Sequence, residues 1–271
     1  MSFPEVPEPD ATGETARIYD ALRAAAGIPV VNLIWRHFAA LPGMLPWAWE
    51  AVRPAAGSVL LAEGTARLEA AALREAGDAV GEFPALPAEA QAVVEIYNRG
   101  NCTNLQLLTA LRSVLTGAAA GGGAPPAAAP PLPSLPPTPP MPRLEALEPE
   151  AQGWVRGLAA LHGPAAAAAV PSLYRHLALW PRLLPPLHAA CAARMGDGSI
   201  PRGRDALLAE ARAISARLLP VLRPPPNFPE AQREAVLAAL DTFAGQLIAE
   251  MAVIGLLLRA APGSRAEAPA L

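Results

Sequence analysis

Apolar residues recur at helical spacing along most of the chain, and prolines and glycines interrupt them at regular places. In the first half this pattern predicts five helices, at 12–26, 31–41, 45–53, 58–76 and 87–115. The same scheme is repeated from 150 to 259. No stretch alternates apolar and polar residues with the period of a half-buried strand. The pattern therefore predicts an all-α fold.

Two segments of the chain resemble each other. VNLIWRHFAALPGMLP at 31–46 and VPSLYRHLALWPRLLP at 170–185 superpose at an offset of 139, which places the Arg36-His37 pair on Arg175-His176. Because helix-breaking prolines occur at equivalent positions and in the same order in both segments, the sequence predicts an internal duplication. Between the halves, residues 117–142 hold ten prolines and no charge, as expected for an extended connector. We therefore expect helical repeat 1 at 1–116, a Pro/Ala/Gly-rich linker at 117–142 and helical repeat 2 at 143–271. The two repeats, of about 130 residues each, are expected to be related by a pseudo-twofold axis and to enclose a pocket between them.

Composition and charge exclude several classes of function. The chain has 62 Ala, 33 Pro and a net charge of −3, and all 21 basic residues are Arg, so no lysine chemistry is available. There is no basic cluster to bind nucleic acid and no uninterrupted apolar run of the length that a membrane span needs, and we expect no secretory signal because the first residues are acidic and proline-rich. Cys102 and Cys191 stand apart and fit a reduced, cytoplasmic interior. The four histidines lack metal-ligand spacing, so we expect neither a metal nor another cofactor.

One polar cluster stands out, the segment YNRGNCTN at 97–104 inside an otherwise apolar helix. Asn and Gly are poor helix formers, so their presence requires either ligand contacts or a close helix crossing. The sequence does not choose between these two interpretations. Arg99, three residues before Cys102, could lower the pKa of that thiol, although a buried, inert Cys is the commoner case.

Other polar and aromatic residues favour structural roles. We expect surface or capping roles for His37 and His176, and ion pairs for Arg36 and Arg175, unless an arginine points into the pocket and binds a carboxylate. Trp47 and Trp49, two residues apart, cannot share a helix face, which predicts that at least one of them lies at an interface or on the surface.

The segments IPVVNLIWRHFAALPG, YNRGNCTNLQLLTAL and LYRHLALWPRLL together resemble the group I 2-haloacid dehalogenases, and the NxGN motif is the most specific part of the likeness. The resemblance implies a cofactor-independent hydrolase in which an Asn and an Asp activate a water that displaces halide from a short 2-halocarboxylate, and chains that often pair into homodimers. It places the water-positioning Asn on Asn101. The implied substrate-binding positions are Val30, Asn32, Leu33, Tyr97, Asn98, Ser172, Leu173 and Tyr174.

The chain departs from the family at the acid. Counting back from Trp180-Pro181 places the expected Asp on Leu173, and no Asp or Glu occurs between Glu150 and Asp197. Three hypotheses follow: a hydrolase whose base comes from elsewhere, such as Glu250 or His162; a pocket protein that binds a small carboxylic acid but has lost or changed the reaction; or a helical enzyme resembling the carboxymuconolactone decarboxylases without their redox cysteines.

Overall fold

A computed structural model describes residues 3–136 and 138–262, apart from the side chain of Ala165. Within these residues the chain forms α-helices, short 3-10 turns and one π-helical turn, and the only β-type pairing is an isolated bridge between Ser58 and Ala128. The expected all-α fold is confirmed. The helices are α1 Gly13–Ala26, α2 Leu33–Ala40, α3 Met44–Val52, α4 Val59–Ala76, α5 Ala88–Leu115, α6 Pro149–Ala160, α7 Pro164–Ala169, α8 Ser172–Leu177, α9 Leu184–Gly196, α10 Ser199–Leu218, α11 Arg233–Thr242 and α12 Ile248–Ala260.

Several helix boundaries coincide with the glycines, prolines and capping residues of the sequence. Gly27 ends α1 in the left-handed conformation, with φ of 62°, as helix-terminating glycines do. Ser58 caps α4 through its side chain, which accepts a hydrogen bond from the amide of Leu61. Pro87 precedes α5, which then continues unbroken for 28 residues.

The two halves share one core. Helix α4 packs along α10, and α5 packs along α12. A single cluster of buried apolar side chains runs through residues of both halves. In the second half, α11, the π-helical turn Phe243–Leu247 and α12 form one long helical element beside α5.

The proline-rich segment between the halves is fastened to the folded helices. Its backbone exchanges hydrogen bonds with the residues at the start of α4, from Val59 N to Ala127 O and from Ala129 N to Gly57 O. Arg99 Nη1 donates to Pro133 O at 2.8 Å. The segment therefore runs along the protein and not away from it.

Trp47 and Trp49 are both buried, so neither lies on the surface, and Trp47 lies at the interface between the two halves. Trp47 donates a hydrogen bond from Nε1 to Pro225 O and lies edge-on to Phe228, 4.8 Å between ring centroids. Residues of the second half thus cover the face of α3 that an isolated repeat would leave open.

Candidate active site

A cavity of about 330 Å³ lies where the two halves meet. The first half contributes residues 7–9, 30–34 and 36, together with Tyr97 and Asn101 of α5. The cavity is closed by 140–141 of the linker and, from the second half, by the junction of α7 and α8 and by Phe243, Leu247, Ile248 and Met251 of the long C-terminal element. The volume suits a small molecule, and most of the wall is apolar.

The three asparagines of α5 have different environments. Asn98 donates from Nδ2 to the carbonyl oxygen of Gly255 on α12 at 3.1 Å. Asn104 accepts a hydrogen bond of 2.7 Å from Trp35 Nε1 on α2. Asn101 is 5% exposed, lines the cavity, and has no side-chain hydrogen bond to any described residue. Both interpretations of the polar segment thus apply: Asn98 and Asn104 join helices, whereas the amide of Asn101 is available to a ligand or a water.

Gly100 allows the loop before α2 to approach this part of α5. A Cβ atom there would lie 2.9 Å from Asn32 Oδ1 and 2.9 Å from Ile28 Cδ1. Because glycine removes that obstacle, Asn32 and Leu33 reach the cavity wall beside Asn101.

Two charged side chains of the first half line the cavity, Arg36 and Glu8. Arg36 is 7% exposed, and its Nε lies 3.0 Å from Glu5 Oε2 without hydrogen-bond alignment. Its Nη atoms donate to no described residue. Glu8 belongs to the short turn Glu8–Asp10, accepts from Val31 N at 2.9 Å through Oε1, and pairs with Arg23 Nη1 at 2.6 Å through Oε2.

The second-half wall carries no carboxylate among its described residues. Ser172 and Leu173, at the start of α8, line the cavity. Tyr174, the next residue, points away, because successive residues of a helix are rotated by about 100°. Its hydroxyl lies 2.7 Å from His162 Nε2.

His162 and Glu250, the two bases considered as substitutes for the missing Asp, do not line this cavity. Neither side chain has exposed surface, and His162 Nδ1 lies 2.7 Å from Glu250 Oε2. Burial alone would raise the pKa of Glu250, but the hydrogen bonds and charges of His162 and Arg204 hold the pKa below its usual value. A paired, enclosed carboxylate of this kind is unsuited to taking a proton from a substrate water in the cavity.

The duplicated Arg-His pairs fasten two extended segments that wall the cavity. His37 Nδ1 donates to Pro4 O at 2.7 Å, and His176 Nε2 donates to Pro139 O at 2.7 Å. Tyr97 completes the second contact, with its hydroxyl 3.3 Å from His176 Nδ1. Both histidines are buried, so a surface role for them is wrong, because each faces a backbone carbonyl that needs a donor.

The predicted site residues are thus divided by the fold. Val30, Asn32, Leu33, Tyr97, Asn101, Ser172 and Leu173 line one cavity, whereas Asn98 and Tyr174 lie outside it. Sequence reasoning missed Glu8 and left the orientation of Arg36 open. Cys102 is buried, and burial raises its pKa to about 12, so Arg99 does not activate this thiol and the favoured interpretation of a buried, inert Cys is confirmed. No group of three or more potential metal ligands occurs within the described part of the chain.

The fold is that of the D-2-haloacid dehalogenases. The chain superposes on a D-2-haloacid dehalogenase mutant with a TM-score of 0.77 and 19% identity over 95% of both chains. The complex of D-2-haloacid dehalogenase with L-LA gives a TM-score of 0.77 at 20% identity, also over 95% of both chains. A mutant with D-2-CPA gives 0.73 at 19% identity, covering 97% of this chain and 96% of that one.

Among curated proteins, the chain is similar to an (R)-2-haloacid dehalogenase of Rhizobium sp. (strain NHG3), with 28% identity over 126 residues. That match covers 41% of this chain and 48% of the relative, about half of its length. No protein-family model matches the sequence. The structural and sequence matches confirm the resemblance indicated by the NxGN segment.

One helical stretch, Glu230–Ala260, is long and apolar enough to cross a membrane, but 78% of its most apolar window is buried inside the protein. It packs against α5 as a core element.

Proposed function

We propose that this protein binds a short 2-halocarboxylic acid in the cavity between its halves and hydrolyses the carbon–halogen bond with a water held by Asn101. The observation that carries the proposal is the position of Asn101. Its amide is buried, lacks a hydrogen-bond partner among the described residues, and faces the cavity. Buried amides in proteins are normally hydrogen-bonded, so a cavity ligand or water is the natural partner.

Arg36 is the proposed anchor for the substrate carboxylate. A guanidinium group with free Nη donors can bind a carboxylate through two parallel hydrogen bonds. Arg36 lies on the cavity wall with these donors uncommitted to the described residues. Glu5 lies 3.0 Å from Nε of Arg36, so it is the Nη side of the guanidinium that is proposed to bind the anion. The apolar side chains of Val30, Leu33 and Met251 would surround the remainder of a small acid.

In the proposed reaction, the amide of Asn101 orients a water toward Cα of the bound acid. The water oxygen forms a bond to Cα while the halide leaves with the electrons of the carbon–halogen bond, one water proton is released, and the products are a 2-hydroxy acid, halide and a proton. Because the water attacks directly, the substrate carboxylate must be held still relative to Asn101, and a base must take up the water proton. Holding reactants in such an orientation is a large part of enzymatic rate enhancement.

A second candidate function is a pocket protein that binds a small carboxylic acid without turning it over. Leu173 favours it, since this apolar residue lies on the cavity wall where the resemblance places the catalytic Asp. No structural observation favours the decarboxylase-like hypothesis over these two.

Halide release from the two enantiomers of 2-chloropropionate tests the proposal. We expect turnover, 2-hydroxy acid as the organic product, and a loss of kcat of about 10²-fold or more in Asn101→Ala. Asn104→Ala is the matched control on the same helix: it removes the acceptor of Trp35 Nε1, so stability falls while kcat stays within about threefold. Binding without halide release would establish the second candidate function instead.

We also propose that residues 1–116 and 143–271 are related repeats joined by 117–142, that the protein works in the cytoplasm, and that two copies form a homodimer. The packing of α4 on α10 and of α5 on α12 supports the repeat relationship, because each helix pairs with its counterpart in the other half. Light scattering of the purified protein would test the homodimer.

A further inference from the structure

We propose that Glu8 is the general base of the reaction, an inference that rests on the proposed function. The geometry points to this residue because a carboxylate from the N-terminal segment takes part in the cavity wall, while the second-half wall provides none among its described residues. Glu8 and Leu173 lie on segments of different halves that both face the cavity.

The carboxylate of Glu8 is held from two sides. Val31 N donates to Oε1 at 2.9 Å, and Arg23 Nη1 donates to Oε2 at 2.6 Å. Arg23 is itself on α1, and Val31 lies in the loop that leads to α2. The carboxylate is therefore fixed against two parts of the first half, although its segment is a short 3-10 turn.

These contacts leave capacity for a water. A carboxylate accepts about four hydrogen bonds, two at each oxygen, and Glu8 uses one at each with the two donors above. The side chain is 23% exposed, so the group is reachable. An oxygen with a free acceptor position on the cavity wall is what a general base requires.

The other titratable groups do not compete for the role. Within the described residues, Glu8 is the only carboxylate on the cavity wall, and no His or Cys lies there. Glu250 and His162 are bound to each other in the interior. Asn101 can hold the water, but a neutral amide cannot take up its proton.

The proposed step balances with groups of this chain alone. As the water oxygen bonds to Cα and the halide leaves, one water proton passes to a carboxylate oxygen of Glu8. The protonated Glu8 then loses this proton to solvent, and the 2-hydroxy acid and halide leave the cavity. Neither an oxidant nor a covalent ester is required.

The experiment compares the unaltered protein with Glu8→Gln and Glu8→Asp, and with Asp10→Asn as the matched control. Asp10 is an exposed acid of the same turn that does not line the cavity. We expect Glu8→Gln to lower kcat by about 10²–10⁴-fold, with KM and L-lactate binding within about threefold. Glu8→Asp retains the acid, so we expect a rate at least tenfold above that of Glu8→Gln. Asp10→Asn should match the unaltered protein.

Several results would overturn the assignment. Folded Glu8→Gln with unchanged kcat, or with kcat no lower than that of folded Glu8→Asp, rejects Glu8 as the base while the proposed hydrolysis stands. A single turnover in H₂¹⁸O that leaves the label in the Glu8 carboxylate, and not in the 2-hydroxy acid, would make Glu8 a nucleophile and reject the general-base role. Absence of halide release from the unaltered protein, with L-lactate still bound, rejects both the hydrolysis and the role of Glu8.

Discussion

His162 Nδ1 lies 2.7 Å from Glu250 Oε2, at a place where neither side chain has any exposed surface. His162 joins the turn after α6 to α12, and its other ring nitrogen reaches Tyr174 of α8. Arg204 of α10 adds a second charge-assisted contact to Glu250 at 2.9 Å. One buried carboxylate thus connects four parts of the second half, behind the wall formed by Ser172 and Leu173.

Glu250→Gln should destabilise the protein by about 3–5 kcal/mol, because removing one partner of a buried ion pair leaves the remaining charges uncompensated. Urea unfolding of the two proteins at pH 7 gives the difference directly. His162→Gln should lower the free energy of unfolding much less in the Glu250→Gln variant than in the unaltered protein, since the two side chains share one interaction. A loss below about 1 kcal/mol for Glu250→Gln would contradict a stabilising role of the pair.

The stabilising effect of Glu250 should depend on pH. Its pKa is held below the usual 4.5 in the folded protein by His162 and Arg204, against the opposing effect of burial. A depressed folded-state pKa means that the unfolded chain binds the proton first as pH falls, so the contribution is present above pH 4.5 and is lost as pH falls through the folded-state pKa. The stability gap between the unaltered protein and Glu250→Gln should narrow on acidification. If the difference in unfolding free energy between the two proteins stayed constant from pH 7 to pH 3, this prediction would be wrong.

Arg36→Met should raise KM for a 2-halocarboxylate by about 10- to 100-fold, the equivalent of losing charge-assisted hydrogen bonds to the substrate. Arg175→Met is its counterpart in the second half, because Arg175 donates to Pro142 O and does not line the cavity. We expect Arg175→Met to leave KM within about threefold. Steady-state kinetics of both variants give the two KM values. If Arg36→Met and Arg175→Met raised KM equally, Arg36 would not be the group that binds the substrate carboxylate.

Gly255→Ala should destabilise the protein by about 1–3 kcal/mol. A Cβ at Gly255 would lie 2.1 Å from Asn98 Oδ1, in a buried helix contact that Asn98 also holds by a hydrogen bond. Gly153→Ala on α6 meets nothing within 4 Å, and there alanine should stabilise by about 0.5–1 kcal/mol. Thermal unfolding of the pair separates the steric effect from helix propensity. Stabilisation by both substitutions would show that α5 and α12 can move apart at little cost.

Leu173→Asp should restore halide release in the Glu8→Gln background, because the new carboxylate enters the same cavity from the opposite half. We expect at least a tenfold recovery of kcat, within the range that a positioned base contributes. Leu173→Asn has nearly the same size and cannot take up a proton, so it serves as the control. Equal recovery by Asn would indicate a change of cavity shape and not a new base.

The sequence was sufficient for the five helices of the first half, because proline and glycine lie at or near their ends, but the expected repeat of five helices is wrong for the second half, whose described residues form seven. The predicted 12–26 became Gly13–Ala26, and 87–115 became Ala88–Leu115. The family resemblance singled out Asn101. The residue pattern alone could not say which asparagine of α5 faces the cavity, because side chains three residues apart are offset by about 60° around a helix of 3.6 residues per turn. Asn98, Asn101 and Asn104 therefore reach α12, the cavity and α2 in turn.

Glu8 lay beyond the reach of sequence reasoning for a different reason. It sits in a proline-rich segment without helical periodicity, and its partner Val31 is 23 residues further along the chain. Only the tertiary fold brings the turn Glu8–Asp10 against the loop before α2. Likewise, the direction of Arg36 depends on how the preceding residues pack across α2, which no local pattern specifies.

The pairing of α4 with α10 and of α5 with α12 has a consequence for how the chain can be divided. Each half buries its long helices against the other, so a separated half would present an open apolar face to water. Cleavage within 117–142 should therefore yield two fragments that remain associated, and fragments produced separately should recover the cavity only when they are mixed. We therefore expect the molecule to unfold as a single cooperative unit, in which neither half folds alone.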